Sequence, residues 1–252
     1  MKSAVIKQES KVLIKGKRVR ALSITLFSVI FCIILTLLSF GIMFASPLFG
    51  DSAAVNIAAA VILGVLSLAA IFFYSSSSVG EKAWYGGITA QKSNYTRRLF
   101  FWFRPKNSMR ALRFRFLLLT VKVLWAAVFF LPAAILLWTI YYLSGTGGIE
   151  FYLFLSLAGG TVLMTVCGAV FYFIAMQKYF IAEYLFSSNP RLGAWTAIKQ
   201  SKNLLDGHIT EIVRFKLSFL PWFLSCIFIV PAFYFLPYYK ESCCVVAKRI
   251  TL

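Results

Sequence analysis

Acidic side chains are scarce: 26 lysines and arginines face only 8 aspartates and glutamates, and there is a single histidine, His208. A zinc site draws three or four ligands from Cys, His and carboxylate at workable spacing. With Cys243 and Cys244 adjacent and His208 on another segment, the sequence offers no such set. No Gly-x-Ser-x-Gly elbow accompanies His208. No Lys-Ser/Thr follows the glycines Gly145, Gly147 and Gly148, which read as a tight connection rather than a phosphate cradle. The expected protein therefore has no catalytic residues, no metal and no cofactor. Five cysteines, Cys32, Cys167, Cys226, Cys243 and Cys244, lack a repeated spacing and read as reduced thiols packed as small hydrophobes.

What fills the chain instead is apolar. Of its 252 residues, 60% are apolar and 13% charged, against about 45–50% and about 25% in a soluble domain. Segments of about 20 apolar residues can cross a hydrocarbon core. Five qualify: Leu22 to Ala45, Ala53 to Tyr74, Val123 to Leu143, Phe151 to Met176 and Leu217 to Leu236. Lipid leaves an open strand's backbone donors unpaired, so all five are expected to be helices. In the fifth, Pro221, Pro231 and Pro237 remove donors and favour kinks, leaving a broken or re-entrant segment as the alternative to a crossing. The first apolar run is too long for a signal-peptide core and lacks a small-x-small site around Ser46 and Pro47, so an uncleaved helix is expected.

The net charge of +18 is carried by the connections. The first twenty residues hold seven basic side chains, residues 75–115 nine, residues 178–216 six, and the end of the chain three; the Asp51 and Glu150 turns hold none. By the positive-inside bias, the N-terminus and both long connections are cytoplasmic and the two turns face out. The sequon at Asn94 then falls on the cytoplasmic side and is read as a coincidence. A single membrane domain results. It comprises a basic segment 1–21, helices 1–3 over 22–143 with a basic and aromatic loop 75–115, helices 4–5 over 144–239 with a connection 177–216, and a short tail 240–252.

Both cytoplasmic connections are amphipathic. In the first, Arg97, Arg98, Arg104, Lys106, Arg110, Arg113 and Arg115 interleave with aromatics including Trp102, a composition suited to the headgroups of an anionic leaflet. The same pattern read as a nucleic-acid surface is less economical beside a membrane helix. In the second, Ala194, Trp195, Ala197, Ile198, Ser201, Leu204 and Leu205 share one half of a helix, expected to lie along the membrane surface with Trp195 as an interfacial anchor. Lys122 is expected to snorkel at a helix end, and Glu183 to pair with Lys178 at the interface. Ala60 with Gly64, and Ser156 with Gly160, place small residues four apart for close helix packing.

One stretch carries a resemblance. Ala197, Ser201, Leu204, Leu205, Gly207 and His208, then Leu217, Ser218, Phe219 and Trp222, and finally Leu236, Pro237 and Tyr238 form an amphipathic segment, a glycine turn and an LSF-x-x-W helix start ending in Pro-Tyr. This resembles an uncharacterised family of bacterial multi-pass integral membrane proteins, a domain of unknown function. The resemblance implies a multi-pass bacterial membrane protein and supplies no activity. The functional expectation is a non-enzymatic accessory or scaffold protein of the plasma membrane that engages anionic lipids, with a protein partner in a membrane complex. A transporter or permease subunit is the alternative, and a membrane-embedded enzyme the third.

Overall fold

The structure, a computed structural model, describes residues 3–45, 53–91, 95–145 and 150–251. The expectations for Ser46, Pro47, Asp51, Asn94, Gly147 and Gly148 lie outside the described residues. Eleven α-helices account for nearly all of the rest: α1 (Ser3–Ile14), α2 (Arg18–Ala45), α3 (Ala53–Thr89), α4 (Tyr95–Phe101), α5 (Pro105–Gly145), α6 (Phe151–Met176), α7 (Ala182–Ser188), α8 (Ala194–Leu205), α9 (Ile209–Leu217), α10 (Leu220–Ser225) and α11 (Ile229–Thr251). Among the described residues there is no strand.

Four helices, α2, α3, α5 and α6, are long and apolar enough to cross a membrane. Their most apolar stretches pack as α2 against α3 and α5 against α6, with most side chains facing outward: Leu37, Phe44, Val65, Leu131 and Leu163 are all exposed. Hydrocarbon takes the place of a protein core around them. The α5 and α6 backbones come close at Gly168, where a β-carbon would stand 2.6 Å from the Phe129 carbonyl oxygen. Of the two small-residue pairs read from the sequence, Gly160 faces Leu136, whereas nothing lies within 4 Å of the β position at Gly64.

Two of these helices are much longer than a bilayer needs. At about 1.5 Å per residue, the 37 residues of α3 and 41 of α5 reach roughly 55 and 60 Å, against a core of about 30 Å. The surplus stands outside. In α3 the change is abrupt: Ala53 to Tyr74 is largely open, and Ser75 to Ser78, Glu81, Trp84, Tyr85, Ile88 and Thr89 are buried. The loop expected over 75–115 is thus the continuation of α3, the short α4 and the start of α5. Ser76 and Ser108 hydroxyls meet at 2.7 Å, tying α3 to α5 where a run of four serines has no apolar surface to offer lipid.

The fifth apolar segment does not cross. Ser218 closes α9, with its hydroxyl donating to the Phe215 carbonyl at 2.6 Å, and Pro221 opens α10 at a first-turn position where a missing donor costs nothing. At six residues α10 rises only about 9 Å before a turn at Cys226 to Phe228 leads into α11. Of the alternatives left by the prolines, the broken segment is the one adopted. Its apolar side chains are divided: Phe219 is fully buried, while Leu224, Ile227 and Phe228 at the turn are exposed.

The expected tail is instead part of the core. Residues 240–251 continue α11, and Cys243, Cys244, Val245, Val246 and Ala247 are buried in a cluster with Ile6, Ile14, Ala21, Trp84, Tyr85, Phe215 and Phe219. Helix α11 packs on α1, α2 and α3; α7 packs on α3, and α8 on α5 and α7. These contacts gather all the basic segments into one helical layer at one end of the crossing helices. With four crossings, the N-terminal helix and the chain end lie on the same side. The Arg249 guanidinium meets the Glu9 carboxylate at 2.6 Å across that layer.

Candidate functional site

The Arg97 to Arg115 belt is sorted by helix geometry into outward and inward groups. Arg97, Arg104, Lys106 and Arg113 are exposed, and Arg97 with the half-buried Arg98 lines a shallow cleft of about 310 Å³ beside Phe101 and Pro190. Arg110 donates to the Leu192 carbonyl at 3.1 Å, and Arg115 donates to Glu183 Oε1 at 3.0 Å. Trp102, expected as an anchor at the membrane surface, is 1% exposed and packs on Phe186 at 5.2 Å. Phe186 also stacks on Phe114 at 4.3 Å, so the three rings share one buried cluster.

Helix α8 behaves likewise. The face read from the sequence is real, but Ala197, Ile198, Ser201 and Leu205 are buried against protein, with the Ser201 hydroxyl donating to the Lys178 carbonyl at 3.0 Å. Trp195, at 61% exposed, and Leu204 stand off that face. The anchor expected at Trp195 is free to meet a membrane; most of its helix face is already occupied. The remaining residues of the C-terminal pattern knit α8 to α11 together. Gly207 sits at φ +86°, a left-handed turn that glycine adopts without strain. Phe219 meets Phe215, Phe235, Tyr238 and Tyr239 edge-on or tilted, and the Lys7 ammonium lies 4.2 Å above its ring while donating to the Ser218 carbonyl at 2.8 Å. Pro237 is buried, Tyr238 half-buried, and Trp222 partly exposed beside Phe235.

The chemistry-bearing residues that sequence reasoning passed over lie where the helical layer meets the crossing helices. Three of the eight carboxylates, Glu81, Glu183 and Glu241, are inside it. Glu81 accepts from the Thr25 hydroxyl at 2.8 Å and pairs with Lys240. Glu183, expected opposite Lys178, pairs with Arg115 and lies 3.9 Å from Lys82. Rotation about α7 turns the carboxylate toward α3 and α5, away from its own chain neighbour. Glu241 is fully buried and accepts from Thr89 Oγ1 at 2.8 Å.

Beside Glu183 is a cavity of about 330 Å³ whose lining also includes Lys82, Lys122, Lys216 and Lys240, together with Tyr239 and Cys243. Four ammonium groups from α3, α5, α9 and α11 therefore face one carboxylate. Burial, followed by Lys82 and Lys122, pushes Lys216 below its ordinary pKa, while Cys243 and Glu183 oppose the shift. Its ammonium also lies 4.3 Å above the Phe180 ring. Lys122, expected as a snorkelling anchor, is one wall of this cavity. The signal in the sequence was Glu81 and Lys82 a short way beyond the end of an apolar run at Tyr74, and Lys216 immediately before another; reading 75–115 and 177–216 as surface connections concealed it. His208, by contrast, is exposed at the start of α9 and 3.6 Å from Glu211.

A family model described as "Protein of unknown function (DUF975)" matches residues 1–251, so the chain belongs to that family. No curated protein and no solved structure matches it.

Proposed function

We propose that this DUF975 protein is a non-enzymatic accessory component of the bacterial plasma membrane that engages anionic lipids at its cytoplasmic face. The observation that carries the reading is the collection of every basic segment into one helical layer at one end of four apolar helices. Charge asymmetry of that kind orients a membrane protein with the basic end inside, which puts the N-terminus in the cytoplasm. At that depth an anionic leaflet attracts each exposed Lys or Arg by about 1 kcal/mol. Arg97, Arg104, Lys106 and Arg113 are the groups placed to meet it, supported by the exposed Phe100 and Trp195. The outward faces of the two helix pairs supply room for a protein partner within the bilayer.

The test reconstitutes the full chain in nanodiscs of phosphatidylcholine with added phosphatidylglycerol and compares it with R97Q/R104Q/K106Q/R113Q. Lipid counts by native mass spectrometry are expected to show phosphatidylglycerol enriched around the unmodified chain and reduced several-fold around the variant. Equal enrichment around both would overturn the reading.

A further inference from the structure

The outward cations explain attraction to a charged surface; they do not explain the lysines turned inward. Two of the four have partners, Lys82 beside Glu183 and Lys240 on Glu81. Among the described residues, Lys122 and Lys216 have no carboxylate within ion-pair distance. With the ion-pair partners of the lining residues included, Lys82, Lys122, Lys216, Lys240 and Arg115 stand against Glu183 and Glu81, an excess of three positive charges. Holding unpaired, partly buried ammonium groups beside aromatic side chains is unfavourable unless an anion joins them.

We infer that the cavity formed by Lys82, Lys122, Lys216 and Lys240 is a binding site for a dianionic phosphoryl group. The inference deepens the lipid reading and rests on it for the lipid as the source of that group. A phosphate monoester carries a charge of about −1.5 to −2 at pH 7 and three acceptor oxygens. It can take a lysine on each free oxygen and neutralises both unpartnered cations. A phosphodiester has one charge and two such oxygens, and leaves an ammonium without compensation. Lysine suits this role because it acts as a point charge on a flexible stem and needs no fixed fork geometry. The volume of about 330 Å³ is at the small end of ligand pockets, enough for a headgroup and not for a whole lipid. Tyr172 and Met176, at the end of the apolar stretch of α6, share its lining. A phosphoryl group bound there sits at headgroup level, and its acyl chains remain in the bilayer.

Phosphatidic acid is the monoester probe, phosphatidylglycerol the diester, and inorganic phosphate the soluble form. All are offered to the full chain in phosphatidylcholine nanodiscs. The expected result is one phosphatidic acid retained per chain at least tenfold more tightly than phosphatidylglycerol, with the difference lost in K122Q/K216Q and kept in K122R/K216R and in the R97Q/R104Q/K106Q/R113Q belt variant. Inorganic phosphate that binds with the same lysine dependence, without a preference for phosphatidic acid, keeps the site and assigns it a soluble phosphate. Equal retention of both lipids with no phosphate binding overturns the inference, and the lipid reading survives that result if both lipids depend on the belt. Failure of both anionic lipids to exceed phosphatidylcholine removes the lipid reading; if phosphate also fails, it removes the site. Thermal stabilisation of the unmodified chain by phosphatidic acid over phosphatidylglycerol or by inorganic phosphate needs no variant, so a misfolded K122Q/K216Q leaves the test intact.

Discussion

Thr89 Oγ1 donates to Glu241 Oε1 at 2.8 Å, while Oε2 of the same carboxyl is buried with no hydrogen-bond partner. The hydroxyl supports the charged form on one side only. Burial pushes the Glu241 pKa up to about 7, against the effects of Thr89 and Lys17, with Glu9 adding to the rise. A carboxyl in that state carries a proton across much of the acidic range and loses it near neutrality.

The consequence for stability has a definite sign. The folded protein holds this proton more tightly than the unfolded chain, whose glutamate titrates near 4.5. Stability from Glu241 is therefore complete below about pH 4.5 and is lost as pH rises through about 7. The loss amounts to roughly 3 kcal/mol by the usual 1.36 kcal/mol per unit. E241Q cannot ionise. It is expected to match the parent at pH 5 and exceed it by roughly 2–3 kcal/mol at pH 8 in denaturant melts of the detergent-solubilised protein. A variant that tracks the parent across that range would show that Glu241 is not a buried neutral acid.

How much of this was legible in the sequence depends on what sets each feature. Helix type and the four crossings follow from run length and apolarity, which act locally: Leu22 to Ala45 and Phe151 to Met176 were readable to within a few residues. The end of a membrane stretch was not, because helical geometry continues past Tyr74 while the surroundings change from lipid to protein. Residues 240–251 read as a tail because Lys240, Glu241 and Ser242 interrupt the hydropathy; in the fold, Glu81 and Thr89 satisfy two of those groups from 152 or more residues away. The same limit hid the lysine cavity, whose four cations come from four helices. Arg97 and Arg113 carry a local signature of charge beside aromatics and are exposed. Trp102 carries that signature too and is buried, with the rings of Phe101 from α4 and Phe186 from α7 against it.

Glu183 holds the lower ends of three helices together through Arg115 on α5 and Lys82 on α3. Both partners are less than one-fifth exposed, so removing the carboxylate leaves two poorly solvated cations without compensation. E183A is expected to cost about 3 kcal/mol or somewhat more, in the range for breaking a buried pair. R97Q, on the outer surface of α4, is expected to stay within about 0.5 kcal/mol. Thermal melts of the two single variants in one detergent check the contrast. Similar stabilities for both would mean that solvent screens the Glu183 pair far more than its burial implies.

Close approach of helices within the crossing region is tested at glycine. At Gly168 an added methyl meets the Phe129 carbonyl oxygen at 2.6 Å, a backbone atom that can retreat only by moving α5 as a whole. At Gly64, on the outward side of α3, the same methyl meets nothing within 4 Å. Overpacking of a tight contact typically costs about 1–3 kcal/mol, whereas alanine in an open helical position is favoured over glycine by about 1 kcal/mol. G168A is therefore expected to lower the melting temperature and G64A to leave it unchanged or raise it, although both replace a glycine in a membrane helix with the same side chain. Because hydrocarbon gives helices little hydrophobic reason to associate, close packing such as that at Gly168, beside the Phe129–Phe171 and Phe130–Tyr172 ring contacts, is what joins α5 to α6 there. Loss of stability on G168A should consequently come with separation of α6 from α5, measurable as a longer spin-label distance between their outer ends. An unchanged distance together with an unchanged melt would place the helix contact elsewhere along the pair.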